Sequence, residues 1–551
     1  MNDALLSIES LNIAYPRHSG RGSSDNEINW AVDNLSLSIG PGECVGLVGE
    51  SGCGKSTIGR ALLRLLPPQS VVEGRVDFAG QSVLDLSPQE LRHFRGERIG
   101  LVFQDPMTRL NPLMTIKDHC LETLKVHKPN LSSQEAKEQV LAALAAVNIP
   151  QERWEQYPHE FSGGMRQRVA IALTLLLEPK MIVADEPTTS LDVTVSAQIL
   201  QELTRLCRER QMGLLLISHD LAMVSEYCDR VAVMYQGKMV ELGPANDILT
   251  HPQHPYTKSL LQAALHVQTD VSAEPSTVNK AVLIKLEELQ QHYELGSSFI
   301  AKLFSKESDS VIRAVDDISL ELYAGETLGL VGESGCGKST LSRTILQLIK
   351  PTGGRVIFND VDLTQLSPKV MRSYRRELQM IFQDPRACLN PMMKVGQSIA
   401  EPLLIHQLAT PKEAEAQAKK LFERVGLTPA SDYYDRFPSD LSGGQLQRIA
   451  IARALITHPK LIICDEPVSM LDASIQAQVL DLMQDLKDEF NLTYLFITHD
   501  LWVARFFCDR IAVMNKGKIV EMGLTEEIFR NPQHPYTQTL LKAAPLLTRL
   551  Q

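Results

Sequence analysis

No run of 18 apolar residues occurs anywhere in the 551-residue chain, so no segment reads as a membrane-spanning helix. The N-terminal stretch MNDALLSIES lacks a basic region leading into an apolar one, so no secretory signal is expected. Nine cysteines lie at positions 44, 53, 120, 207, 228, 336, 388, 464 and 508, and none forms a C-x-x-C pair. No zinc or iron–sulfur site is therefore expected, and a reducing cytoplasm is the simplest setting. An excess of basic charge is missing too. The 66 acidic and 55 basic side chains leave a formal net charge of −11, which argues against wholesale wrapping of nucleic acid. The chain is 44% hydrophobic, enough for large cores, and its length suits about two to four domains.

One stretch occurs twice. Gly46-Leu-Val-Gly-Glu-Ser-Gly-Cys-Gly-Lys-Ser-Thr57 returns unchanged as Gly329–Thr340, 283 residues later. Both copies contain G-x-x-x-x-G-K-[ST], with Gly49, Gly54, Lys55 and Ser56 in the first and Gly332, Gly337, Lys338 and Ser339 in the second. Glycines let the backbone turn tightly and aim its N–H groups at phosphate oxygens. A helix that starts at the loop turns its positive dipole end toward the same anion. The lysine is placed to reach β- and γ-phosphates, and the serine hydroxyl to ligate Mg²⁺. The context agrees with this reading. Cys44–Val48 and Thr327–Val331 are short apolar runs that read as buried strands. Ile58, Ala61, Leu62, Leu65 and Leu66 keep helical spacing up to Pro67-Pro68, as do Leu341, Ile345, Leu348 and Ile349 up to Pro351. Cys53 and Cys336, inside the loops, have two readings: thiols activated at a helix N-terminus, or small space-fillers, the plainer of the two.

The duplication extends well past the loops. Ala31-Val-Asp33 recurs as Ala314-Val-Asp316, and Arg230-Val-Ala-Val-Met234 as Arg510-Ile-Ala-Val-Met514. A period this long means duplicated domains rather than a solenoid. The expected division is a first domain over 1–265, a linker over 266–280 that is poor in apolar residues, and a second domain over 281–551. Each half opens on a strand-like stretch, Leu5–Tyr15 or Val282–Tyr293, followed by a polar insertion, Pro16–Asn29 or Glu294–Val311, the first of which reads as an exposed hairpin or loop. Apolar strands then end in Gln104 and Gln383. Helical regions follow over 105–165 and 385–445, marked by the capping signatures Ser132-x-x-Glu135 and Thr410-Pro-Lys-Glu413. Phe161-Ser-Gly-Gly and Leu441-Ser-Gly-Gly each precede a further helix, and the buried strands Met181–Asp185 and Leu461–Asp465 end on acids. Two more strands, Leu214–Ser218 and Tyr494–Thr498, stop at His219 and His499. This succession predicts an α/β fold whose largely parallel sheets are covered on both faces.

In open α/β sheets, ligands sit at the carboxyl ends of strands, where these polar residues lie. Asp185 can take Mg²⁺ through water, and Glu186 is the candidate to orient or deprotonate an attacking water. Taken singly, an acid pair after a strand is more often a cap, and a lone histidine there more often structural. Ser162 precedes Asp185 by 23 residues, as Ser442 precedes Asp465, and Glu186 precedes His219 by 33, as Glu466 precedes His499. Copies from one duplication share such spacing whatever its purpose.

The ordered set resembles the nucleotide-binding domains of ABC transporters, twice over and across nearly the whole chain. The resemblance implies two P-loop ABC-type domains, each a mostly parallel sheet core with a helical subdomain and a small C-terminal extension. Gly49–Ser56, with Ser51, Gly52 and the following Thr57, then answers to Walker A, and Gln104 to the Q-loop. Ser162-Gly163-Gly164 answers to the signature, Met181–Asp185 to Walker B and Glu186 to the catalytic base. Ser190-Leu-Asp192 answers to the D-loop and His219 to the switch histidine. The second half supplies Gly332–Ser339, with Ser334, Gly335 and the following Thr340, and then Gln383, Ser442-Gly443-Gly444, Asp465, Glu466, Asp472 and His499. Tyr15 and Tyr293 stand where the family stacks adenine. Ser56, Gln104 and Asp185, with Ser339, Gln383 and Asp465, are the implied Mg²⁺ groups. Head-to-tail pairing is implied as well, each ATP held by one half's Walker A and the other's signature. The first signature ends in Met165 where the second has Gln445; methionine lacks the amide's hydrogen bonds, so unequal sites are expected.

A second element narrows the resemblance. His251-Pro-Gln-His-Pro-Tyr-Thr257 and Asn531-Pro-Gln-His-Pro-Tyr-Thr537 resemble the C-terminal element of ATPases from the dipeptide/oligopeptide/nickel importers. The fused form resembles the tandem subunits of peptide and glutathione importers. Two separate membrane permease subunits and an extracytoplasmic solute-binding protein are implied as partners. The implied location is peripheral, at the cytoplasmic face of a bacterial inner membrane. The stretches Asp105–Asn111 and Asp384–Asn390 should help form the permease groove near Gln104 and Gln383. No cysteine follows Cys508, so no iron–sulfur cluster is expected. The alternative reading is a soluble tandem ABC ATPase acting on ribosomes, but such proteins carry a long charged helical linker. A DNA-repair ABC ATPase would need zinc cysteine pairs.

Overall fold

The sheet that carries the first phosphate loop is built from runs that are apolar on both faces. In the computed structural model, β1 (Leu6–Ala14), β2 (Val32–Ile39), β4 (Val71–Phe78) and β5 (Gln81–Ser82) form an antiparallel sheet in the order β2-β1-β4-β5. The larger sheet has the order β10-β9-β3-β8-β7-β6, made by β3 (Cys44–Val48), β6 (Ile99–Val102), β7 (Met181–Asp185), β8 (Gly213–Ser218), β9 (Arg230–Tyr235) and β10 (Lys238–Pro244). All its pairs are parallel except β9 with β10. Every residue of β3, β7 and β8 is buried, as expected of a sheet covered on both sides. The expected parallel core is present. The antiparallel sheet beside it was legible only as one strand-like opening, because its pairing is set by partners up to about 70 residues away.

The second unit repeats this order. Its larger sheet runs Leu378–Ile381, Leu461–Asp465, Thr493–Thr498, Thr327–Val331, Arg510–Asn515 and Lys518–Leu524. Its antiparallel sheet holds Val311–Tyr323, Val282–Glu294, Gly353–Phe358 and Val361–Asp362. In each unit one apolar core joins the two sheets and the helix after the phosphate loop; Leu47, Ile58 and Leu215 share it in the first, and Leu330, Leu341 and Leu495 in the second.

The structure describes residues 4–16, 29–104, 109–188, 191–269, 281–294 and 311–544. Most of both polar insertions, Asp105–Thr108, Ser190 and linker positions 270–280 lie outside the described residues. The described residues divide into two compact units, with the boundary between Ala264 and Leu265. The stretch expected to begin the linker at His266 is still helical, since the helix Pro255–Thr269 carries it. The loop helices end early, at Leu62 and Ile345, because Arg64 and Gln347 take left-handed backbones (φ 50° and 53°) before the prolines are reached. Both capping boxes form as read: Glu135 N–H donates to Ser132 Oγ at 3.3 Å, and Thr410 N–H to Glu413 Oε2 at 2.8 Å.

Candidate active site

The phosphate loop bends where only glycine fits. Gly54 has φ 104°, and a Cβ there would lie 2.4 Å from the Ala31 carbonyl oxygen. Gly337 has φ 111°, with the Ala314 oxygen 1.9 Å from the same imagined atom. The repeated Ala-Val-Asp segments are thus the backbone against which each loop closes. Helices then start at Lys55 and Lys338, with no acidic residue in the first turn to compete for an anion. Lys55 Nζ donates to the carbonyls of Gly49 at 2.6 Å and Glu50 at 2.9 Å, and Lys338 Nζ to those of Gly332 at 2.6 Å and Glu333 at 3.0 Å. Each ammonium is therefore held at its own loop, within reach of a phosphate bound there.

The polar ends of neighbouring strands converge on this point in both units. Ser56 Oγ donates to Asp185 Oδ1 at 2.8 Å, and Ser339 Oγ to Asp465 Oδ1 at 3.2 Å. Burial pushes both aspartates above the usual carboxylate range, against the pull of those hydroxyls. A hydroxyl beside a desolvated carboxylate is a hard-oxygen pair that a small divalent cation fits. Among the described residues, no cluster of three or more His, Cys, Asp or Glu is placed to hold a metal. A cation at Ser56 and Asp185 would complete its shell with phosphate oxygens and water.

One residue further, Glu186 and Glu466 adopt left-handed backbones, with φ 47° and 49°. Such a conformation costs a non-glycine residue roughly 1–3 kcal/mol, and it occurs at the same position in both units. It points to a side chain aimed by the fold at a set place. Gln104 Nε2 donates to Glu186 Oε2 at 2.7 Å, and Gln383 Nε2 to Glu466 Oε2 at 3.0 Å. His219 Nδ1 lies 3.6 Å from Glu186, and His499 Nδ1 lies 3.1 Å from Glu466. Burial works to raise the Glu466 carboxyl, but His499 and Lys338 outweigh it and hold it below its ordinary range. Burial likewise works to lower the His499 imidazole, but Glu466 outweighs it and the histidine sits above its ordinary value.

Each unit thus brings together its lysine, serine, aspartate, glutamate, glutamine and histidine. Tyr15 joins them through its hydroxyl, 3.0 Å from Thr57 Oγ1, and the residue is 38% exposed. Tyr293 is 39% exposed, open enough to stack a flat ligand. The Ser-Gly-Gly turns are built at a different place. Ser162 and Ser442 cap the helices Gly163–Leu175 and Gly443–Leu455. Gly164 and Gly444 let these helices approach the ones after Asp192 and Asp472, since a Cβ would meet Val195 at 2.4 Å or Ile475 at 2.6 Å. Among the described hydrogen bonds, none ties either turn to the phosphate loop of its own unit. The Met165 difference has a visible consequence: Gln445 Oε1 accepts the Ser442 N–H at 3.0 Å and completes a capping box that methionine cannot make. Cys53 and Cys336 are buried, 7% and 6% exposed, which favours the space-filling reading. The left-handed backbones at Glu186 and Glu466 carry no sequence signal, because the residue type is not one that favours them.

Known proteins match along nearly the whole chain. The ABC transporter family matches residues 32–189 and 315–469. The Oligopeptide/dipeptide transporter, C-terminal region, matches 240–286 and 520–551. The Glutathione import ATP-binding protein GsiA of Shigella boydii serotype 4 is 42% identical, over 98% of this chain and 90% of that protein. The protein of the same name from Escherichia coli K12 matches to the same extent. Among solved structures, the dimeric cassette MJ0796 aligns with 44% of this chain and 99% of its own, at 28% identity and a TM-score of 0.39. The chain belongs to the ABC transporter family, as a fused tandem of two ATP-binding cassettes, each followed by the C-terminal region of the oligopeptide and dipeptide transporters.

Proposed function

We propose that the chain hydrolyses ATP at two sites and thereby powers import of a peptide-like solute through separate permease subunits. The observation that carries this reading is the twofold convergence of Lys, Ser, Asp, Glu, Gln and His on one phosphate loop per unit, next to matches to the transporter C-terminal region. Gly49, Ser51, Gly52, Gly54, Lys55, Ser56 and Thr57 hold the phosphates of one ATP, and Gly332, Ser334, Gly335, Gly337, Lys338, Ser339 and Thr340 those of the other. Tyr15 and Tyr293 stack adenine. Ser162, Gly163, Gly164, Ser442, Gly443 and Gly444 offer helix N-termini to the nucleotides, and Asp192 and Asp472 serve as D-loop residues at the ATP sites. Ser56, Asp185 and Gln104, or Ser339, Asp465 and Gln383, would hold Mg²⁺, which would supply charge neutralisation at the phosphates. Glu186 and Glu466 orient water and take its proton, with Gln104 and His219, or Gln383 and His499, keeping each carboxylate aimed.

No helix among the described residues is long and apolar enough to cross a membrane. The permeases are proposed as two further polypeptides, with this chain peripheral at the cytoplasmic face of a bacterial inner membrane. A solute-binding protein outside would complete the assembly. A cavity of about 230 Å³, lined by Leu346, Leu348, Leu378, Cys388, Pro402 and Phe382, the residue before Gln383, supports a groove for a short permease helix. Leu113 and Met392, at equivalent places beyond the two glutamines, are 85% and 83% exposed and lie where such a helix would be met. The relatives' names make glutathione the first solute to test, followed by di- and oligopeptides. The ribosome reading gains nothing from residues 240–286 and 520–551, which match a transporter region. Co-purification decides: integral membrane subunits support the proposal, and ribosomal RNA in their place overturns it.

A further inference from the structure

After its last sheet strand, each unit folds the His-Pro-Tyr stretch back to its own phosphate loop. On β10, Glu241 accepts the backbone N–H groups of Gln253 at 2.7 Å and His254 at 3.1 Å. His254 Nδ1 accepts the N–H of Tyr256 at 3.2 Å. The Tyr256 ring stacks on Tyr235 with centroids 4.3 Å apart, and its hydroxyl oxygen accepts the N–H of Glu50 at 3.1 Å. The second unit repeats each of these hydrogen bonds. Glu521 accepts from Gln533 at 2.7 Å and His534 at 3.0 Å, His534 Nδ1 accepts from Tyr536 at 3.2 Å, and the Tyr536 hydroxyl accepts from Glu333 at 3.1 Å. Asn515 ends the strand there where Tyr235 ends β9, so the bond to the loop forms without the ring stack.

The peptide unit reached in this way opens the phosphate loop. Its carbonyl, on Gly49, accepts Lys55 Nζ at 2.6 Å, and its N–H, on Glu50, donates to Tyr256. The Gly332–Glu333 peptide is held at both ends likewise. One of the two holds is the lysine, whose ammonium gives two N–H donors to loop carbonyls and has a third for a bound phosphate. The tyrosine hydroxyl holds the N–H side of the same peptide. Together the two holds fix the plane of the first loop peptide, and therefore the direction of the amides that follow.

We propose that Tyr256 and Tyr536 are positioning residues for ATP, each pinning the entrance of its phosphate loop and tying the C-terminal element to nucleotide affinity. The inference rests on the reading that Gly49–Thr57 and Gly332–Thr340 take ATP phosphates. The test uses the full chain carrying Tyr256→Phe with Tyr536→Phe, which keeps the rings and removes the acceptors. One hydrogen bond to the loop is worth about fivefold in binding. ATP affinity by titration calorimetry should weaken about fivefold, KM should rise by about the same factor, and kcat should stay within about twofold. Amide exchange should quicken over residues 46–57 and 329–340 and stay unchanged in the sheet cores. Glu241→Gln with Glu521→Gln, which loosens the support behind the tyrosines, should shift affinity the same way by less. Lys55→Ala with Lys338→Ala is the reference and should abolish ATP binding. Wild-type affinity in the Phe pair beside lost binding in the lysine pair overturns the inference and leaves the ATP sites standing. Lysine variants that bind ATP normally overturn both. A lower melting temperature with unchanged affinity makes the tyrosines packing residues and also overturns the inference.

Discussion

Replacing Glu466 by Gln removes one negative charge and leaves the side chain's length and one carbonyl acceptor in place. Gln383 Nε2, 3.0 Å from the carboxylate, can still donate to the amide oxygen. The left-handed backbone at φ 49° suits Gln no worse than Glu. Lys338, Ser339 and Asp465 are untouched, so the groups proposed to hold ATP and Mg²⁺ remain. What disappears is the proton acceptor. General-base assistance is worth about 10²- to 10⁴-fold, or roughly 3–5 kcal/mol of barrier. The double variant Glu186→Gln with Glu466→Gln should therefore release phosphate at least about 100-fold more slowly than wild type, with ATP affinity within about threefold. The two single variants should lose unequal amounts, because Gln445 completes a capping box that Met165 cannot. Phosphate release by purified chain, beside ATP titration, reads both quantities. A double variant that keeps more than about a tenth of wild-type turnover would refute the catalytic reading of the glutamates. Equal losses in the singles would refute the asymmetry.

Gly54→Ala and Gly337→Ala should each cost about 1–2 kcal/mol from the left-handed backbone alone, before the clash with the Ala31 or Ala314 carbonyl. Loss of ATP binding in calorimetry with the rest of the unit folded is expected; wild-type affinity would show that the loop adapts. The His499–Glu466 pair carries a pH signature. The histidine's raised pKa contributes stability that is full below about pH 6.5 and is lost as pH rises through the folded value. The glutamate's lowered pKa contributes stability present above about pH 4.5 and lost as pH falls through its folded value. In Glu466→Gln the burial that works to lower the imidazole should prevail, so the His499 titration followed by NMR should move down; no movement would exclude the pairing. Leu113→Asp with Met392→Asp should reduce permease co-purification while leaving the ATPase rate of the isolated chain unchanged, and undiminished capture would place the permease contact at another surface.

The candidate site is legible in the sequence where its residues are contiguous. G-x-x-x-x-G-K-S is contiguous, and the strands Cys44–Val48 and Met181–Asp185 are apolar runs that end where the polar residues begin, so their carboxyl ends were legible residue by residue. The duplication helped, because each motif could be read twice. The reading overran at Leu65 and Leu66, where apolar spacing continues past a helix that a single left-handed residue, Arg64, has already ended.

By itself, the chain determined two phosphate loops, their flanking strands, and the acid, glutamine and histidine that follow at fixed intervals, because each depends on a few neighbouring residues. Only the tertiary structure decided that Gln104 and His219 meet on the Glu186 carboxylate, and that this residue takes a strained backbone to receive them. Only it decided that Tyr256 and Tyr536 reach back 206 and 203 residues to the loops. Hydrogen bonds over such separations are set by which strands lie side by side in a sheet, and strand order is a property of the packed core rather than of any local pattern.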